Sequence, residues 1–373
     1  MLYQLSYPPG HDLQRSKTTY LIKSLSGMST RMRAHERGPL CYYCGMKILL
    51  LGAAGFIGRI AAQVLSSRPE VGELFLVDYN IRDTKKFAKA LSPKCRWAMA
   101  DAGRAPELER LLEGVDAVAS AVGPCAEYEK GILLACAGKG MHAASIGDGT
   151  LAPADRKEIH DAFRRKGAAA VSGCGMMPGW TELLSAHFLA GGRKEHAGRQ
   201  EQDPRRYLFC SLDRFGGYSF FRRAVKAARK EAQSPSSSPA GSYFYAEEGF
   251  FGLPPGRPAA LFRRFGRTLG GLGPVGKELS AASLFWLRGS MKAAEGTPVA
   301  AAGVWTEGGG EITATVAIED PKGILAGVLL AEAAFKLASG AAGEKGLLPL
   351  PGLIGREEAE RIVNERGGKI RVG

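Results

Sequence analysis

The segment Gly52-Ala53-Ala54-Gly55-Phe56-Ile57-Gly58 is the strongest constraint on what this chain can become. It lies between an apolar run, Ile48–Leu51, and a helically spaced stretch, Ile57–Ser67. A G-x-x-G-x-x-G turn joining a buried strand to a helix is a spacing variant of the dinucleotide fingerprint. The first glycine permits the tight turn, the second lets the backbone approach a pyrophosphate, and the third lets helix and strand pack closely. Phosphate oxygens then meet free N–H groups at the helix start. A purely connecting turn is the plain alternative, so the neighbouring strand ends must decide.

They add three features. Asp78, with Tyr79 beside it, closes a second strand over Glu73–Val77, where the carboxylate for an adenosine ribose belongs. Asp101 closes a third strand over Arg96–Met99, near an adenine. A fourth, Ala117–Ala121, runs through Val122 into Gly123-Pro124, on the carboxyl edge where open α/β sheets bind ligands. Helices are expected over Thr84–Leu91, Pro106–Leu112, Glu129–Ala137 and Ala154–Lys166, and a further strand over Ala168–Val171. This β-α-β alternation implies a doubly wound parallel sheet covered on both faces, an N-terminal Rossmann domain within an α/β protein. Residues 46–175 are assigned to that domain.

Residues 1–45 are basic, acid-poor and without a sustained period, and read as a flexible extension. Residues 176–322 read as a second α/β domain with a mixed sheet, for substrate and dimerisation. Strands are expected at Arg205–Leu212 and at the alternating Glu311–Ile318, with a basic helical run over Phe220–Ala232. Residues 323–373 read as C-terminal helices, over Ile324–Leu337 and Glu357–Asn364, that return to the first domain.

The chain has 373 residues, 50 of them Lys or Arg and 37 Asp or Glu. That excess favours anionic partners, but no recognition module for nucleic acid accompanies it. Ile324–Ala331 is broken by Glu332, short of the ~20 apolar residues a membrane span needs. Seven cysteines without regular spacing fit a reducing compartment, and the expected location is cytoplasmic. Cys41-x-x-Cys44 has no second ligand pair, so no metal is assigned. Between Glu248 and Glu278 there is no acid, and Arg257, Arg263, Arg264 and Arg267 alternate with aromatic and apolar residues. This stretch reads as peripheral contact with anionic lipid, as a lid over substrate, or as a solvated face.

Gly52–Gly58, Asp78 and Ser120-Ala-Val-Gly-Pro124 together resemble the saccharopine dehydrogenase superfamily. So do Ala135-Cys-Ala-Gly-Lys-Gly140-Met-His142, Ser145-Ile-Gly-Asp148 and Gly173-Cys-Gly-Met-Met-Pro178-Gly179. The resemblance implies a second sheet packed over the nicotinamide. It implies an NAD(P)-dependent oxidoreductase acting on a small molecule, with hydride transfer to or from a C=N bond of an amino-acid or polyamine-like substrate, in a homodimer. Other members are lipid-associated enoyl reductases, and a non-catalytic dinucleotide binder is a third possibility. The chain departs from the pattern at Ala143, where Tyr is frequent, and at Cys125, where an aromatic is frequent and Tyr128 follows three residues later.

The cofactor is NAD or NADP. Asp78 favours NAD slightly, because a carboxylate bonds a ribose hydroxyl and repels a 2′-phosphate, whereas Arg82 is placed to meet that phosphate. Two residues are candidates at the reacting centre. Tyr128 would orient substrate or relay a proton, or else pack under the second domain. Asp148 would pair with a substrate ammonium, or else hold a turn. His142 reads as satisfied by a local hydrogen bond. Pro178-Gly179-Trp180 reads as an anion-binding helix start or as a domain-crossing turn.

Overall fold

The computed structural model describes residues 45–189, 205–211, 218, 221–222, 225, 243–246, 249–252, 273–287, 299–305 and 312–372. Strands and helices alternate from Met46 onward as β1 (Met46–Leu51), α1 (Phe56–Ser67), β2 (Val71–Asp78), α2 (Ile81–Leu91), β3 (Cys95–Met99) and α3 (Ala105–Leu111). They continue as β4 (Ala117–Ser120), α4 (Cys125–Gly138), β5 (His142–Ser145), α5 (Pro153–Arg165) and β6 (Ala169–Ser172). The strands pair in the order β6-β5-β4-β1-β2-β3, every pair parallel. Strand order reverses between β1 and β4, which makes the carboxyl ends of that pair the crevice of the sheet. β1 is central because its run Ile48-Leu49-Leu50-Leu51 has apolar side chains on both faces, all buried. A strand like that needs helices above and below it.

Local signals set the element ends. α2 begins at Ile81, before the expected Thr84, because the Asn80 side chain accepts a hydrogen bond from Asp83 N at 3.2 Å and caps the helix. α4 begins at Cys125, directly after Pro124, and its end is marked by Gly140 at φ +70°. Pro106 sits in the first turn of α3, where a missing N–H does no harm.

From β6 the chain enters α6 (Trp180–Phe188), which packs against the second sheet. That sheet contains β7 (Arg205–Ser211), β8 (Tyr243–Ala246), β9 (Gly249–Gly252), β10 (Ala300–Trp305), β11 (Ile312–Glu319) and β13 (Lys369–Val372). The order is β13-β11-β10-β7-β9-β8. The β7–β9 pair is parallel and the others antiparallel, so the sheet is mixed. Before β10 lies α7 (Gly273–Leu287), whose Glu278 accepts from Arg222 Nε at 2.6 Å and Tyr218 Oη at 3.0 Å. Arg222 also faces Glu127 of α4 at 3.6 Å. Of the basic run Phe220–Ala232, Phe221, Arg222 and Val225 are described, and all three are helical. Most of the arginine-rich stretch between Phe250 and Gly276, and the pair Cys41 and Cys44, lie outside the described residues.

The C-terminal segment serves both sheets. α8 (Leu325–Ala338) packs on α1 and on β1, β4 and β5. The approach to α1 is close: a Cβ on Gly327 would lie 2.6 Å from Ile60 Cβ. β12 (Gly346–Leu348) then adds a parallel edge strand beside β6. After α9 (Leu350–Leu353) and α10 (Arg356–Glu365), β13 joins the mixed sheet beside β11.

One ion pair pins α8 to α1. Both Glu332 oxygens accept from Arg68 Nη2, and the Arg68 guanidinium lies 4.7 Å from the Phe335 ring centre. Glu332 is buried, so removing the cation strands a charge in the interior. Arg68→Ala is expected to lower unfolding free energy by about 3 kcal/mol. Arg68→Ala combined with Glu332→Leu should recover part of that loss. Urea denaturation followed by circular dichroism measures both.

Candidate dinucleotide site

The turn after β1 is built for a bare backbone. Gly52 has φ +75°, and a Cβ there would lie 2.8 Å from the carbonyl carbon and oxygen of Ala121. A Cβ on Gly58 would lie 2.1 Å from Gly52 O. The first turn of α1 therefore sits directly on the glycine turn, and the turn directly on the end of β4. Gly55 is the N-cap of α1, in extended conformation, and supplies no side-chain cap. The helical ladder starts at Arg59 N, which donates to Gly55 O at 2.9 Å, so Ile57 and Gly58 present their amides ahead of it. A cradle that admits no Cβ and presents helix-start amides fits a pyrophosphate.

Asp78 holds this turn in place. Its Oδ2 accepts from Ala54 N at 2.9 Å and its Oδ1 from Asn80 N at 2.9 Å. Arg59 Nε donates to Ala54 O at 2.8 Å from the other side, with its guanidinium 4.8 Å from the Phe87 ring centre. Ala53 is buried beneath. Phe56 and Ile57, half-buried, open the helix. Tyr79, next along, is 77% exposed at the mouth of β2. Asp101 Oδ1 accepts from Gly103 N at 2.9 Å and Oδ2 faces Arg104 Nε at 3.7 Å, closing the β3–α3 turn.

On the other side of the switch point, Ala121 N donates to Leu51 O at 2.9 Å, which locks the link from β4 to α4 against the glycine turn. Ala121, Val122 and Pro124 are half-buried and Gly123 exposed. The structure thus brings Gly52–Gly58, Asp78 and Ala121 together. The two reacting-centre candidates stand at different strand ends. The Tyr128 ring packs near Gly103, its Cε1 3.2 Å from where a Cβ on that glycine would lie, and joins the core under β3 and α3. Asp148 lies beyond β5 and accepts from Thr150 N at 3.1 Å and from the Thr150 hydroxyl, a local turn with the side chain half-exposed. His142 Nδ1 accepts from Ala169 N at 3.1 Å, and burial pushes its pKa down. The start of α6 is a turn and not an anion site: Trp180 N donates to Gly175 O and Thr181 N to Met176 O, and Trp180 Nε1 donates to Leu325 O at 2.9 Å.

The sequence reading passed over Glu129. It stands on the apolar stripe of α4 with Cys125, Ile132, Leu133 and Cys136, and it is 2% exposed. The signal was there: an acid at a core position of the helical period. Ser172 Oγ donates to its Oε1 at 2.7 Å. Burial pushes its pKa up, while the Ser172 hydrogen bond and the nearby Ser145 hydroxyl pull it down. Glu182, on α6, is also pushed up by burial, with Arg156 opposing.

The Gly58 contact gives a direct test. Gly58→Val is expected to weaken nicotinamide-nucleotide binding by about tenfold or more, because the added carbons push α1 off the turn. Circular dichroism confirms that the fold persists, and fluorescence titration measures the affinity.

The family model for the saccharopine dehydrogenase NADP binding domain matches residues 48–171. Among solved structures, apo histidine-tagged saccharopine dehydrogenase (L-Glu forming) from Saccharomyces cerevisiae is 13% identical, with a TM-score of 0.58. The match covers 88% of this chain and 100% of that one. A probable dehydrogenase from Thermotoga maritima is 16% identical with a TM-score of 0.36, covering 48% of this chain and 50% of that one. No curated protein matches in sequence. The matched span runs from β1 through most of β6 and contains the glycine turn, Asp78 and the β4–α4 link. The family match thus covers the dinucleotide-binding part of the parallel sheet, and the likeness to the yeast enzyme over the rest of the chain is one of fold.

Proposed function

We propose that this NAD(P)-dependent oxidoreductase moves a hydride to or from the C=N bond of an amino-acid or polyamine-like substrate. The observation that carries the reading is the character of the carboxyl edge at β5 and β6. Asp148 stands half-exposed just beyond β5, and the buried Glu129 carboxyl is bonded to Ser172 at the end of β6. An acidic edge suits an ammonium or iminium and not a neutral enoyl chain.

The bound nicotinamide would supply the hydride. Gly52, Ala53, Ala54, Gly55, Phe56, Ile57 and Gly58 hold the pyrophosphate in this reading, Asp78 the adenosine ribose, and Tyr79 and Asp101 the adenine side. Ala121, Val122, Gly123 and Pro124 bound the nicotinamide half. Asp148 orients a substrate ammonium. Tyr128, packed beside Gly103, would orient substrate or relay a proton in this reading.

Within the cofactor pair the carboxylate of Asp78 favours NAD, and Arg82 is exposed at the start of α2. NADH is therefore expected to bind more tightly than NADPH. The opposite order would place Arg82 on a 2′-phosphate and overturn the preference.

A second reading draws on α7. Val275, Leu279, Trp286 and Leu287 are exposed on it, from 40% to 69%. That apolar surface would suit contact with a lipid surface, which vesicle flotation tests. No helix among the described residues is long and apolar enough to cross a membrane.

The deciding experiment follows NADH and NADPH oxidation across a panel of imines, keto acids with amines, and enoyl thioesters. Turnover confined to the imine-forming mixtures is expected, and turnover of enoyl substrates alone would overturn the C=N reading.

A further inference from the structure

We propose that Glu129, acting through the hydroxyl of Ser172, is a proton store whose charge follows the redox state of the nicotinamide held at this edge. The inference rests on the hydride-transfer reading above and adds to it a positioning residue for the proton.

Placement comes first. Ser145 and Ser172 are the last residues of β5 and β6 and stand opposite each other in register. Both strands lie in the β4-β5-β6 half of the sheet, across the switch point from Asp78, which is the nicotinamide half if the pyrophosphate rests on the glycine turn. Glu129 reaches this point from α4. Its Oε1 accepts from Ser172 Oγ at 2.7 Å, and its Oε2 is buried without a hydrogen-bond partner among the described residues. A buried, unpartnered carboxyl oxygen needs a reason, because full desolvation costs about 1–3 kcal/mol or more. Ser172, the last residue of β6, is itself partly exposed.

The surroundings leave that charge adjustable. Asp148 beyond β5 and burial itself favour the protonated form. Arg156 of α5 and the hydroxyls of Ser145 and Ser172 favour the carboxylate. Burial pushes the thiol of Cys174, just beyond β6, well up, and Glu129 and Glu182 add to the push. No cation forms an ion pair with Glu129 among the described residues. An oxidised nicotinamide ring carries a positive charge that the reduced ring lacks, and a nearby cation favours a carboxylate.

The proton balance of the reduction is then complete. As the substrate carbon gains the hydride, the C=N electron pair goes to nitrogen, which takes a proton from Ser172 Oγ. Ser172 is refilled from Glu129, and the carboxylate left behind is refilled from water. In the oxidative direction the same path runs backward.

The test needs no substrate. Binding of NAD+, NADH and their phosphorylated forms is measured by calorimetry in two buffers of different ionisation enthalpy, across pH. The oxidised forms are expected to bind with proton release, and their affinity to rise with pH by up to about tenfold per unit while Glu129 titrates. The reduced forms should show neither effect. Glu129→Gln should abolish the release. Arg156→Ala, at an exposed site, should move the release window to higher pH, because it removes a charge that favours the carboxylate. Ser172→Ala should move it the same way, and these two variants carry the test if Glu129→Gln does not fold. Unchanged release in Glu129→Gln, or an unmoved window in both other variants, would overturn the proposal. If both redox forms bind without proton exchange, this inference falls and the cofactor reading stands. If neither nucleotide binds, both fall.

Discussion

The whole site depends on a contact that leaves no room for one carbon atom. Gly58 packs against Gly52 O, and Gly52 against the backbone of Ala121, both closer than any side chain allows. β1, α1 and the end of β4 are thereby drawn to one point at the centre of the sheet. The amides at the start of α1, the Asp78 carboxylate and the β4–α4 link converge there as a consequence. None of them needs its own positioning device, because the strand pairs β1–β2 and β1–β4 carry them. Asp78 adds rigidity by binding Ala54 N, so the group expected on the ribose also fixes the loop expected on the phosphate.

The same economy governs the far end of the chain. α8 covers β1, β4 and β5 and closes one face of the parallel sheet, then β12 extends that sheet and β13 extends the other. A segment that contributes to both sheets couples them. α6 does the same from the middle of the chain: it packs against β7, β10 and β11, while Trp180 bonds to the start of α8. The two sheets are thus tied together by elements that contact both.

What was legible in the sequence follows the strength of the period. Ile48–Leu51, buried on both faces, and the alternation in Glu311–Ile318, where Val316 and Ile318 are buried, were readable because burial leaves an unambiguous pattern in residue type. Gly52–Gly58 was readable because backbone proximity demands glycine. β12 and β13 were not, since three- and four-residue edge strands carry too little period to separate from a turn. α7 was missed for a different reason. It buries Ala281, Leu284 and Phe285 yet exposes Val275, Leu279 and Trp286, so its apolar residues mark no single face. Tyr128 and Asp148 were marked by closeness in sequence to strand ends, but direction along α4 and a local turn with Thr150 decide where their side chains go. Glu129 was hidden by its chemistry: an acid in a helix reads as solvated unless its phase is checked.

Three buried carboxyls show how differently this fold treats a charge. Glu332 is matched by the guanidinium of Arg68 and serves as a strut. Asp320 is matched by the backbone amides of Lys322, Gly323, Ile324 and Leu325 ahead of α8, which oppose the upward push of burial. Both partners are permanent: a guanidinium does not deprotonate and a backbone amide does not leave. Glu129 has the hydroxyl of Ser172 on one oxygen, which can donate to a carboxylate or accept from a carboxylic acid with little rearrangement. Of the three it is the one whose partner tolerates either charge state, and it is the one placed at the carboxyl edge of the sheet. A carboxyl meant only to hold α4 against β5 and β6 would be served better by an amide or an apolar side chain of the same size. Retaining an acid there, bonded to a hydroxyl and without an ion-pair partner among the described residues, is what a group that must gain and lose a proton requires.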